Sequence, residues 1–124
     1  MKQILAVSLL LCLALFSVGC NRVQPNPVSA AVDANKYYAV LLSNGSVYFG
    51  KLEGLGSAYP VLRDVYYVQT TTNPETKAVS SILVKRGKEW HGPDRMILNE
   101  KAVVFVEPVG GDSKVSQLIA ESKR

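Results

Sequence analysis

The 124-residue chain is 48% hydrophobic and 19% charged, with 14 basic residues against 10 acidic and a formal net charge of +4. That length suits one domain and not two. The mild basic excess fits loose attraction to an anionic surface and falls far short of a nucleic-acid-binding footprint, so no nucleic acid is expected as a partner.

The chain opens MKQILAVSLLLCLALFSVGC. Lys2 gives a short positive start, and residues 4–18 follow as an apolar run. That run is shorter than the roughly 20 residues a membrane span needs, and it has the layout of an export signal. Ser17-Val18-Gly19-Cys20 resembles the bacterial lipobox, in which lipid joins the Cys and the chain is cut before it. Gly19 and Cys20 match that pattern, Val18 is tolerated, and Ser17 stands where a Leu is usual. Residues 1–20 read as the signal segment: a cut just before Cys20 would take Cys12 away and leave Cys20 as the lone thiol in an oxidising compartment, with no internal disulfide partner. A thioether to lipid accounts for it. The expectation is therefore a lipoprotein-type signal peptide and a chain anchored through Cys20 in a membrane of the bacterial cell envelope. The alternatives are ordinary cleavage after Gly19 or Ala30, giving a soluble secreted or periplasmic protein, or an uncut helical anchor. Residues 21–36, NRVQPNPVSAAVDANK, hold two prolines and no apolar periodicity. They read as a flexible tether with a root-mean-square reach of about 20–25 Å.

From residue 37 the pattern turns to strands. Residues 37–43, YYAVLLS, are aromatic and β-branched. Asn44-Gly45 is a hairpin signal of the kind that suits a type I′ turn, and residues 46–53 are the return strand. Gly50 within that strand predicts a bulge or sharp bend. Residues 61–69, 78–86 and 102–106 are three further strands, separated by polar or glycine-rich loops. Five short strands predict a mainly β fold: a small SH3/Sm-like barrel or a curved meander over residues 37–106. In the third strand, strict alternation puts Val61, Val65 and Tyr67 with Arg63 on one face and Leu62, Tyr66 and Val68 with Asp64 on the other. Both faces carry bulk, so the second needs a cover: the chain's own tail, another copy or a partner. The tail, residues 107–124, predicts a short C-terminal helix. Asp112 or Ser113 can cap it, Val115, Leu118 and Ile119 fall on one face, and Lys123 and Arg124 sit at the end that favours positive charge.

Two resemblances follow. VLLSNGSVYFGKLEG with YPVLRDVYYV resembles the first half of an Sm-like or SH3-like small barrel, where a hydrophobic strand, a tight turn and a GKL strand lead to a strand with an acid. Val84 to Gly87, VKRG, is similar to the second Sm motif. Sm proteins bind RNA and form rings, but an exported chain has little RNA to meet, so the resemblance implies architecture alone. Across two thirds of the chain, NGSVYFGKL, LRDVYYVQ, LVKRGKEWHGPDRMILN and DSKVSQLI resemble a group of small exported bacterial proteins with no assigned activity.

The run EWHGPDRM holds the chain's only His. Glu89, His91 and Asp94 offer carboxylate and imidazole within six residues, the ingredients of a hydrolase. A metal site would need further ligands, and a nucleophile, His and Asp set would need a positioned Ser or Thr. The plainer reading is a structural loop, with Gly92-Pro93 turning the chain, Asp94 capping and Trp90 anchoring. The pairs Gly45/Gly50 and Gly87/Gly92 share a spacing, which is too little to define a repeat. Six tyrosines (37, 38, 48, 59, 66 and 67) are many for the size and suit both a small core and a contact surface. The sequence thus favours a non-catalytic interaction module, without cofactor or metal, that binds an envelope protein or a second copy. A cell-wall glycan or peptide binder and a hydrolase centred on His91 are the alternatives. Tyr48, Tyr66, Trp90, His91 and Asp94 are the candidate binding residues.

Overall fold

A computed structural model describes residue 28 and residues 31–124. The signal segment, the lipid attachment at Cys20 and most of the tether lie outside the described residues. Within them the fold is mainly β: one antiparallel sheet of six strands, left open, and a short C-terminal helix.

Strands β1 (Tyr37–Leu42), β2 (Val47–Glu53), β3 (Val61–Thr72) and β4 (Val79–Lys85) form a meander in which each pairs with the next. A three-residue strand, β5 (Arg95–Ile97), adds to the start of β3. A single 3-10 turn at Glu100–Ala102, capped by the Asn99 side chain, delivers β6 (Val103–Pro108) back to β1. The sheet order is β4-β3-β2-β1-β6, with β5 beside β3. β3 therefore has β5 on one flank over Val61–Arg63 and β4 on that flank from Tyr66 onward.

The first hairpin differs from the expected type I′ turn. Only Gly45 has positive φ, at 82°, while Asn44 does not. Gly45 N–H donates to the Leu42 carbonyl at 2.9 Å, and Leu42 N–H to Ser46 at 2.9 Å. This is the longer hairpin in which a tight turn ends on one left-handed residue, and glycine fills that place without a Cβ penalty.

The expected irregularity at Gly50 is present, but the extra residue belongs to the facing strand. From Phe49↔Tyr66 to Lys51↔Arg63, two steps on β2 match three on β3. Asp64 takes up the surplus in a left-handed conformation, φ 48°, which Asp tolerates better than most residues. Gly50 allows the close approach: a Cβ there would lie 2.7 Å from Leu62 Cγ and 2.8 Å from the Arg63 carbonyl oxygen.

This bulge overturns the strict alternation expected along the third strand. Leu62 and Val65, of opposite parity, are both buried in one core with Tyr38, Val40, Leu52 and Leu98. Tyr66 is also buried, at 1% exposure, but outside that cluster. One strand is clearly longer than expected and one is new. β3 continues through Thr70–Thr72, read above as loop, because threonine is a good strand former whatever its polarity. β5 was unforeseen. Three residues, two of them exposed, carry no alternation, and the strand forms because β3 offers a free flank and Leu98 is buried beyond it. At the other end, residues 31–36 are not free tether. Val32 packs against the core, and Asp33 N–H donates to the hydroxyl of buried Tyr38 at 2.9 Å.

The helix α1 spans Lys114–Ser122. Ser113 is its cap, accepting from Ser116 N–H at 3.1 Å. Ile119 is buried, and Val115 and Leu118 are half-buried. The helix end is fastened to the sheet. Lys123 Nζ donates to Asp64 Oδ2 and to the Tyr37 hydroxyl, both at 2.7 Å. The Tyr66 hydroxyl and Ser122 Oγ are hydrogen-bonded at 3.3 Å. The tail thus covers Tyr66, as the two-faced third strand required.

Candidate functional site

The bulge sets Tyr66 and Tyr67 on separate surfaces, since successive strand side chains point to opposite faces. On the Tyr66 side the polar groups are all engaged. Tyr37 meets the Tyr66 ring edge-on at 6.2 Å and donates its hydroxyl to Asp64. Lys85 Nζ lies 3.0 Å from the other Asp64 oxygen. Burial alone would raise the Asp64 pKa, but hydrogen bonds from Lys123, Tyr37 and Lys85 outweigh it and hold the carboxyl well below the usual range. Burial and the bond to Asp64 push Tyr37 up to about 12. This side is a structural seam.

The Tyr67 side is open beyond the core cluster, against which half-buried Tyr48 packs. Tyr48 of β2 and Tyr67 of β3 meet edge to face, with ring centres 6.3 Å apart. The Arg86 guanidinium lies 5.8 Å from the Tyr48 ring centre, within cation–π range. Arg86 is held from beneath: Nε donates to Glu89 Oε1 at 2.9 Å, and Nη1 lies 3.2 Å from Met96 Sδ. Glu89 is fixed in turn by the Gly87 N–H at 2.7 Å. That N–H, with Arg86, keeps the Glu89 carboxyl below its ordinary pKa. Trp90 follows and is wholly exposed, at 108% of its reference surface.

Three hollows meet on this face, and Tyr67 lines all of them. One of about 530 Å³ runs between the first hairpin and β3. One of about 220 Å³ is bounded by Tyr48, Tyr67, Arg86 and Glu89. One of about 340 Å³ continues past Val84 and Lys88 to Trp90. The result is a shallow track along rings, with a guanidinium and a carboxylate beside it. A further hollow of about 470 Å³ lies behind Arg86 near Asp64 and Asp94. Its charges are already paired, Lys85 with Asp64, Arg86 with Glu89, and Arg95 with Asp94 at 2.8 Å.

Of the candidates from sequence, Tyr48 and Trp90 lie on this track. Trp90 does not anchor its loop; the turn is closed by Gly92 N–H donating to the Glu89 carbonyl at 2.8 Å. Tyr66 is not accessible, being sealed under α1. His91 is exposed and makes no hydrogen bond or ion pair among the described residues. Asp94 caps nothing; it is exposed and paired with Arg95, which lowers its pKa, and it faces the other hollow. Glu89, His91 and Asp94 are therefore not drawn together. No group of three metal-ligating side chains forms among the described residues. Tyr67 and Arg86 are the site residues that sequence reading missed. Choosing Tyr67 over Tyr66 requires knowing the bulge at Asp64, and Arg86 stood out only as part of the VKRG run.

Among the described residues no helix is long and apolar enough to cross a membrane. No protein-family model matches the chain, and no curated protein matches it in sequence.

Proposed function

We propose that the protein is a non-catalytic interaction module of the bacterial envelope, tethered by lipid on Cys20, that binds an extended ligand along the Tyr48–Tyr67–Trp90 track. The finer fold reading is an Sm/SH3-like small barrel left open between β4 and β6. The meander with a bent third strand, and the 3-10 turn that returns β6 to β1, support it. The observation that carries the functional reading is Trp90. A fully solvated indole that shares a hollow with Tyr67 and Glu89 costs solvation and contributes nothing to the core, and exposed aromatics are frequent anchors of contact surfaces.

A photo-crosslinking amino acid placed at Trp90 in cells is expected to give a discrete adduct, while the same group at Tyr59, also exposed but in the β2–β3 loop and lining none of the three hollows, gives none. Equal labelling from both positions, or none from either, overturns the assignment. The anchor has its own test: a radiolabelled fatty acid should enter the wild type and not Cys20→Ala. A wall glycan or peptide is the second reading, favoured by the stacked rings beside the Arg86–Glu89 pair. It predicts retention on purified sacculi at low salt that Trp90→Ala abolishes. The hydrolase reading gains no such support, because His91 has no carboxylate partner among the described residues.

A further inference from the structure

The two terminal strands of the sheet are finished differently. β6 bears the features that block edge pairing: a register shift against β1 at Val104, an exposed Glu107, and Pro108 at its end. β4 has no register shift and no proline, and its one charge, the exposed Lys85, stands at its very end. Its ladder with β3 is unbroken from Tyr66↔Lys85 to Thr72↔Val79, and no charge or proline occurs from Val79 through Val84. Val79 and Ile82 are 66% and 55% exposed. The sheet path ends at β4, and α1 approaches it only near Leu83–Lys85, beside Ser122.

We infer that β4 pairs with β4 of a second copy, antiparallel about a twofold axis at Ile82. A second copy is the occupant that fits, because β4 can pair with itself over its whole length without opposing like charges. Centred on Ile82, the seven-residue strand uses its whole length. Ile82 faces its own counterpart, Ser81 faces Leu83, Ser80 faces Val84, and each Lys85 meets a Val79. No like charges are opposed; the two Lys85 side chains stand at opposite ends, on the order of 20 Å apart at about 3.4 Å per residue. The contact is isologous and closes on itself, so it yields a dimer and not a fibre. Ile82 pairs with Gln69 and Val84 with Tyr67, so Ile82 shares the sheet face of Tyr67. A twofold axis normal to the sheet then sets both aromatic tracks on the same side of one continuous sheet. The inference goes beyond the ligand-binding reading; the two meet at Val84 and Lys85, but pairing uses the backbone edge of β4 and the track uses ring faces, so either can fail alone.

The test is sedimentation of the full chain in density-matched detergent. The wild type should be a concentration-dependent dimer. Ile82→Lys and Ile82→Glu, each at a more than half-exposed position and checked for unchanged circular dichroism, should each raise the dissociation constant at least tenfold. An equal mixture of the two should restore a dimer, and Trp90→Ala should leave dimerisation unchanged. A wild type that is monomeric at every concentration, a dimer that persists in Ile82→Lys, or a mixture that stays monomeric overturns the inference.

Discussion

Replacing Asp64 with Asn isolates what its charge does. Asn keeps the size of the side chain and tolerates the left-handed backbone at φ 48°, so the bulge itself is preserved. What is lost is the common acceptor for Tyr37, Lys85 and Lys123. The Tyr37 bond is partly buried and contributes about 1 kcal/mol. The two lysine side chains are 53% and 44% exposed, so each ion pair is screened and contributes no more than about 0.5–1 kcal/mol. The variant should lose about 2 kcal/mol at neutral pH, roughly 8–16 °C in Tm for a domain of this size. The pH profile gives the sharper readout. The folded carboxyl titrates below its unfolded value, so its contribution is fully present above about pH 4 and is lost as the pH falls toward the folded pKa. Urea unfolding between pH 2 and 7 should show the wild type losing stability below about pH 4 and Asp64→Asn losing less. Equal stability at pH 7, or an equal acid slope in both proteins, would refute the claim that Asp64 ties α1 to the sheet.

Three further outcomes can be checked on the same material. Gly50→Ala should cost about 1–3 kcal/mol by thermal unfolding, because its Cβ meets the Arg63 carbonyl oxygen and fully buried Leu62, neither of which can move freely. Tyr37 ionises at about 12 in the folded state against about 10 unfolded, so its share of stability is intact below pH 10 and lost as the pH rises through 12; Tyr37→Phe should lack this alkaline loss when unfolding is followed from pH 9 to 12. Trp90 is the single tryptophan, so native emission should already lie near the solvent-exposed wavelength, and Trp90→Ala should change stability by no more than about 0.5 kcal/mol while abolishing the sacculus retention that the glycan or peptide reading predicts.

Much of the fold was written locally and could be read. The four meander strands, the turn at Gly45, the irregularity at Gly50 and the Ser113-capped helix each follow from residue type and spacing over a few positions. What could not be read depends on which strand meets which. β5 carries no pattern of its own and exists because β3 has an unpaired flank. The extra residue opposite Gly50 could sit on either strand, and nothing in LRDVYYV marks Asp64 as its place. That single shift decides the site: without it Tyr66 looks as available as Tyr67. His91 and Asp94 drew attention because carboxylates and imidazole stand close in sequence. In space, Arg86 and Arg95 had already engaged the acids.

On the proposed reading, Tyr66 and Tyr67 divide stability and recognition within one dipeptide. Tyr66 faces the helix side, where the Tyr37 ring, Lys85 and Ser122 surround it. Its burial fixes the strand on which Tyr67 is carried, and strand alternation leaves Tyr67 no choice but the opposite face. The helix is too short to persist alone, so it stays where Lys123 and Ile119 hold it. If the track depends on that seam, loosening it is expected to shift the Tyr67 ring relative to Tyr48 and the Arg86 guanidinium without touching any residue of the track. A ligand that needs all three in register will be lost by Asp64→Asn at temperatures below its unfolding, whereas one that needs Trp90 alone will not. Comparing crosslinking from Trp90 in the wild type and in Asp64→Asn at 20 °C separates the two cases. It decides whether the track works as a preset surface or as independent rings.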